Sequence, residues 1–147
     1  MRKAIFSVLA LTAVAVAPAA WLTDNGGFGW SEAVAASHLA AQTSSARGVT
    51  VKVTPQNVAG DAKMWDFAIV LDTHSADLND DLVKSSLLLD SAGGAFPPVA
   101  WDGAPPGGHH REGVLRFKPI SPGPQSIELR ITRAGEDVPR SFRWQLK

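Results

Sequence analysis

Trp65-Asp66-Phe67-Ala68-Ile69-Val70-Leu71-Asp72-Thr73 alternates apolar and polar side chains with a period of two. Successive side chains of an extended strand point to opposite faces, so Trp65, Phe67, Ile69 and Leu71 form one buried row. Asp66, Ala68, Val70 and Asp72 form the other row, which is itself half apolar and places this strand near the centre of a sheet. Upstream, Val49, Val51 and Val53 repeat the pattern against Thr50, Lys52 and Thr54, closed by Pro55 and Asn57. Downstream, residues 84–90 carry Leu87, Leu88 and Leu89 and are joined across Gly93-Gly94 to residues 96–101, which reads as a hairpin with a glycine turn. Pro97 and Pro98 cannot donate to a ladder, so that second arm lies at an edge or enters the sheet late. Residues 113–118 follow with Leu115 and Phe117 inward, then Ile127, Leu129 and Ile131, then Phe142, Trp144 and Leu146.

The pattern predicts an all-β fold for residues 49–147: an immunoglobulin-like antiparallel β-sandwich of about seven strands. Antibody hallmarks are missing, because the chain has no cysteine pair and, without tyrosine, no tyrosine corner. The aromatic residues Trp65, Phe67, Phe117, Phe142 and Trp144 are read as core rather than as a binding stripe.

The region before residue 49 differs. Met1, Arg2 and Lys3 precede an apolar run at 4–17 that only Ser7 and Thr12 interrupt, the pattern of a secretory leader. Ala17 and Ala19 suit cleavage before Ala20, which makes residues 1–19 a signal peptide; kept in place, the segment is long enough for a helical membrane anchor. Residues 20–48, with Gly26, Gly27 and Gly29, an alanine-rich patch and Thr43-Ser44-Ser45, read as a flexible linker. The expected location is therefore extracytoplasmic: periplasmic, secreted, or anchored on the outer side of the plasma membrane. The membrane is met only through the N-terminal segment, if it is uncleaved.

Composition narrows the chemistry. With no cysteine among 147 residues, disulfides, thiolate metal sites and a cysteine nucleophile are excluded. Fourteen basic against fourteen acidic residues argue against a nucleic-acid partner, which usually demands a cationic excess. Charge is uneven along the chain: residues 49–102 hold 3 basic and 8 acidic side chains, residues 103–147 hold 8 and 4. Arg116, Lys118, Arg130, Arg143 and Lys147 fall on outward positions and suggest a basic sheet face.

Two segments carry more polar residues than a sandwich needs. The first runs from 72 to 81, with four aspartates and His74. Asp77-x-Asn79-x-Asp81 has the oxygen spacing of a calcium loop, but Leu82 stands where glycine is required and the closing glutamate is missing. A turn capped by Asp77 or Asn79, with Leu78 and Leu82 tucked beneath, is the plainer reading. The second runs from 102 to 112, where Pro105-Pro106-Gly107-Gly108 bends the chain ahead of His109-His110. Neutral imidazole and carboxylate suit zinc or copper, so His109 or His110 with His74 and one of Asp72, Asp77 or Glu112 form a candidate metal set. The plainer alternative has the histidines hydrogen-bonding loop carbonyls. Both segments are expected at one end of the sandwich.

The strings Leu71-Asp72-Thr73-His74-Ser75, Trp101-Asp102-Gly103, Gly107-Gly108-His109-His110-Arg111-Glu112-Gly113 and Val138-Pro139-Arg140-Ser141-Phe142 resemble a family of uncharacterised prokaryotic exported or membrane-anchored single-domain proteins. The resemblance implies no catalytic assignment. Periplasmic copper-carrier domains of immunoglobulin-like fold are similar more distantly, at the level of fold, compartment and histidine content, and fold likeness does not fix function.

An enzyme is the least supported class. No nucleophile elbow, phosphate loop, dinucleotide fingerprint or His-Glu-x-x-His pair occurs, and Asp72, His74 and Ser75 lie too close on one strand end to converge as a hydrolytic set. The expectation is a noncatalytic extracytoplasmic binding or interaction domain. Its 72–81 and 102–112 loops would meet an envelope or extracellular protein, with a copper- or zinc-binding protein as the alternative and a hydrolase behind both.

Overall fold

The computed structural model describes residues 39–147; the leader at 1–19 and the linker as far as residue 38 lie outside the described residues. β1 (Gln42–Ala46) turns through Arg47 and Gly48 into β2 (Val49–Asn57), followed by β3 (Trp65–Thr73). One helical turn, α1 (Leu82–Ser85), leads into β4 (Ser86–Asp90) and β5 (Ala95–Phe96). β6 (Ala100–Gly103), β7 (His110–Phe117), β8 (Ser126–Ile131) and β9 (Arg140–Gln145) complete the order. Every pairing is antiparallel, in a five-stranded sheet β1-β2-β3-β7-β6 and a four-stranded sheet β5-β4-β8-β9.

The two sheets bury their apolar rows against each other. Val51, Val53, Phe67, Ile69, Leu71 and Leu115 from one meet Leu88, Ile127, Leu129, Ile131 and Phe142 from the other, all essentially inaccessible to water. Phe67 sits at the middle, edge-on to Phe117 with ring centroids 5.6 Å apart and tilted on Trp144 at 5.8 Å. Aromatic pairs at such offsets add attraction beyond the area they bury.

Among the described residues nine strands stand where about seven were expected, for two physical reasons. First, β1 falls inside the stretch read as linker. It has no apolar alternation, and it is a strand because all five of its residues pair with β2. Second, the arm expected at 96–101 is two strands in different sheets: β5 pairs with β4, and β6 pairs with β7. Pro97 and Pro98 lie between them. Lacking N–H groups, they end one ladder, and the chain crosses to the other sheet. The hairpin itself forms as read: Asp90 Oδ1 accepts from the amides of Ala92 and Gly94, and Gly93 takes the positive φ that the turn requires.

Gly103 and Gly113 face each other across β6 and β7 and leave room for the Trp101 ring. A Cβ on Gly113 would lie 2.5 Å from the Gly103 Cα and 2.8 Å from Trp101. The free edges of β1 and β9 cap each other through side chains. The Gln42 carboxamide bonds the backbone N–H and C=O of Arg143, and Trp144 Nε1 donates to the Ala40 carbonyl at 2.7 Å. Such cover blunts the tendency of bare edges to recruit other strands.

One pole of the sandwich carries the β1–β2 turn, the β3–α1 connection, the β6–β7 loop and the β8–β9 turn. At the opposite pole Leu39 and Leu146 line one shallow depression with residues 55–59, so both ends of the described chain lie there.

Candidate functional site

Antiparallel pairing of β3 with β7 sets Asp72 opposite His110, so the loop leaving β3 starts beside the loop entering β7. Their backbones stay joined beyond the strands. Thr73 N–H donates to the His109 carbonyl at 2.9 Å, Leu78 N–H to the Gly108 carbonyl at 3.1 Å, and Gly107 N–H to the Leu78 carbonyl at 2.9 Å. Gly107 and Gly108 have φ of 118° and 73°, a backbone that side chains beyond glycine strain to adopt, which is why the double glycine precedes the histidines. Leu78 and Leu82 are buried beneath, as read from sequence. The capping differs from expectation. Thr73 Oγ1 accepts from the amides of Ser75 and Ala76, and Asp81 Oδ1 from those of Val83 and Lys84, while Asp77 and Asn79 take no such role.

Arg111 locks the two loops together. It shares the inward row of β7 with Leu115 and Phe117 and is 1% exposed. Nη1 donates to the carbonyls of Leu78 at 2.9 Å and Asp80 at 2.8 Å, Nη2 to that of Ala104 at 3.3 Å, and the guanidinium lies 5.7 Å from the Trp101 ring centroid. Three carbonyls from two loops thus share one cation, and burial pushes its pKa down from the ordinary arginine value.

A second buried system continues from Asp80. Its carboxylate accepts from Arg133 Nε at 2.8 Å and from the Ala134 amide at 3.2 Å. Glu136 sits between Arg133 and Arg140, and Arg140 Nη1 and Nη2 reach the carbonyls of Ser44, Val49 and Ala46 at 2.8–2.9 Å. Arg140 foremost, with Arg133 further off, holds the Glu136 carboxyl below its usual range. The pole is therefore tied across four connections by Arg111, Asp80, Arg133, Glu136 and Arg140. Sequence reasoning passed over all five, although period two already put Arg111 and Arg140 on inward rows.

The outer side of β3 and β7 holds the histidine cluster. His110 Nδ1 lies 2.5 Å from Asp72 Oδ1, and Nε2 lies 3.7 Å from Glu112 Oε2. The hydrogen bond that Nδ1 donates to Asp72, with the charges of Asp72 and Glu112, raises the His110 pKa above its ordinary value. The structure thus brings together three of the six residues named as metal candidates. His74, His109 and Asp77 make no hydrogen bond or ion pair to that cluster; all three are exposed, and Asp77 instead lines a depression with Arg47, Asp80 and Arg133. Among the described residues no group of three or more His, Asp or Glu converges as a metal cage.

No protein-family model, curated protein or solved structure matches this chain. Its chemistry is read from its own residues.

The expected basic face is divided between the sheets and largely neutralised. Arg116 on β7 pairs with Asp102 at 3.1 Å and approaches Asp66 at 3.8 Å, while Arg130 and Arg143 on the other sheet converge on Glu128. Asp66 and Asp102 from the acidic half thus meet Arg116 from the basic half across the sheet. Glu128 accepts from Arg130 Nε at 2.6 Å and from Ser141 Oγ at 2.7 Å. Arg130 foremost, then Ser141 and Arg143, holds its carboxyl at about 2 against an ordinary 4.5. A carboxyl whose pKa is lower folded than unfolded stabilises the fold above the unfolded value, and that contribution is lost as pH falls towards the folded one. Urea midpoints should therefore drop between pH 4.5 and about 2, and Glu128→Gln should flatten the drop. An unchanged slope in the variant refutes this assignment.

Proposed function

We propose that the chain is a noncatalytic binding domain of immunoglobulin-like type, acting outside the cytoplasmic membrane, whose 72–81 and 102–112 loops contact an envelope or extracellular protein. Strand order supports the fold assignment: β2-β3-β7-β6 and β4-β8-β9 follow the A-B-E-D and C-F-G orders of that sandwich, with β1 and β5 each added at an edge. The leader pattern at 1–19 and the resemblance to exported prokaryotic single-domain proteins support the compartment.

The observation that carries the reading is the fastening of the two loops into one surface at the pole opposite both ends of the described chain. Loops held on a rigid scaffold are where binding groups are usually displayed. His74, Asp77 and His109 are exposed there, whereas the backbone of the two loops is joined by three hydrogen bonds. A noncatalytic role is favoured because the Asp72–His110 pair lies on an open sheet face, with the His110 side chain 56% exposed and nothing to exclude water.

A photo-crosslinking residue placed at 77 or 109 of the full chain in producing cells should trap a discrete protein adduct. The same residue at 123, on the opposite pole, should trap none. Equal trapping at 123, or none at 77 and 109, removes the proposed contact surface.

A further inference from the structure

We propose that His110 and Glu112 form a two-donor seat for a divalent cation of the zinc class, with Asp72 positioning the imidazole. Residues two apart on a strand project from the same face, so His110 and Glu112 stand side by side on the outside of β7. Asp72, directly across on β3, engages Nδ1 at 2.5 Å. A carboxylate only accepts, so the hydrogen in that contact belongs to Nδ1, and the neutral ring carries its lone pair on Nε2. Nε2 lies 3.7 Å from Glu112 Oε2. Once Nε2 gives up the proton that pairs it with Glu112, two acceptors stand side by side, and a shared cation takes the proton's place.

The gap has the right size. Zinc binds imidazole nitrogen at about 2.0–2.1 Å and carboxylate oxygen at about 2.0–2.2 Å, and its tetrahedral geometry sets two such donors about 3.4 Å apart. The 3.7 Å separation is close to that spacing, so a small side-chain rotation seats the ion. A carboxylate behind the far nitrogen of a ligating histidine fixes its tautomer and strengthens it as a donor, which is the place Asp72 occupies. His74, His109 and Asp77 do not reach the cluster, so the remaining coordination positions go to water.

Zinc chloride titrated to about 1 mM into the tag-free protein at pH 8 tests the seat, followed by calorimetry and by the amide resonances of residues 72, 110 and 112. The parent should bind one equivalent with shifts confined to those residues. His110→Ala and Glu112→Gln should each abolish the signal, and Asp72→Asn should weaken it about 10- to 100-fold. His74→Ala plus His109→Ala should leave it intact. No saturable signal, or one that survives His110→Ala or Glu112→Gln, overturns the seat; an Asp72→Asn affinity equal to the parent's overturns the positioning role. Crosslinking at 77 and 109 is independent of these outcomes, so the docking surface and the cation seat stand or fall separately.

Discussion

Arg140→Ala is expected to cost about 3–5 kcal/mol, the range for removing one partner of a buried ion pair. The Arg140 side chain is 3% exposed, and its five N–H donors are all used: Nε and Nη2 on Glu136, Nη1 on Ser44 and Val49, Nη2 also on Ala46. Truncation strands three carbonyls and leaves Glu136 with only Arg133, at 3.6 Å. Because β1 buries no large apolar side chain, the same change should also release β1 from the sandwich. Against a total stability of about 5–15 kcal/mol for an ordinary domain, the loss is a large fraction. Urea denaturation gives the free energy, and amide exchange at residues 42–46 gives the release. A loss below about 1 kcal/mol, the worth of one ordinary hydrogen bond, would show that the guanidinium is not holding this corner. Arg140→Lys should recover little, since an ammonium cannot reproduce the planar fork that spans Glu136 and three carbonyls.

The architecture was legible where side-chain alternation was strong, and illegible where polar contacts at a distance decided the outcome. Trp65 to Leu71 announces its strand because four large apolar residues at period two leave no other economical burial. β1 carries no such signal: Gln42–Ala46 is polar and small, and it becomes a strand only because β2 offers a ladder and Arg140 gathers its carbonyls. Pro97 and Pro98 were correctly read as incompatible with a central ladder. Their actual consequence, a change of sheet, depends on where β7 lies, which local sequence does not state. The shared end of the two histidine loops followed from the antiparallel fold. Which histidine meets which carboxylate followed from register, Asp72 against His110, and a one-residue slip would have turned every one of these side chains to the other face.

Arginine on an inward row was the signal that sequence reading discounted. Arg140 precedes Phe142 and Trp144 by the strand period, and Arg111 likewise precedes Leu115 and Phe117, yet a guanidinium is by habit assigned to solvent. At the end of a sandwich the inward row runs out of opposing sheet and meets loop carbonyls instead. Five donors in a rigid fork suit that place better than an apolar side chain, which would leave the carbonyls without partners. The same end effect explains why the buried charges Asp80, Arg133 and Glu136 all gather at the pole that carries the histidine loops.

Arg111→Met separates the contribution of that fork from simple space filling, because methionine keeps much of the apolar stem and removes every donor. The carbonyls of Leu78, Asp80 and Ala104 lose their cation together, and each orphaned buried acceptor costs about 1–3 kcal/mol before water reaches it. Partial rehydration at the open pole should leave a net loss of about 2–4 kcal/mol, at the upper end of what single substitutions usually do. The more telling change is local. The amides of Leu78 and Gly107, which join the loops, should exchange much faster than those of Ile69 or Leu115 in the core, whose ladders do not depend on Arg111. Crosslinking from position 109 should weaken with them, since a loop pair that no longer moves as one body meets its partner at an added cost in ordering. If Leu78 and Gly107 stay protected while global stability falls, Arg111 acts only as buried packing against Trp101, and the loops owe their union to the double glycine and Leu78 alone.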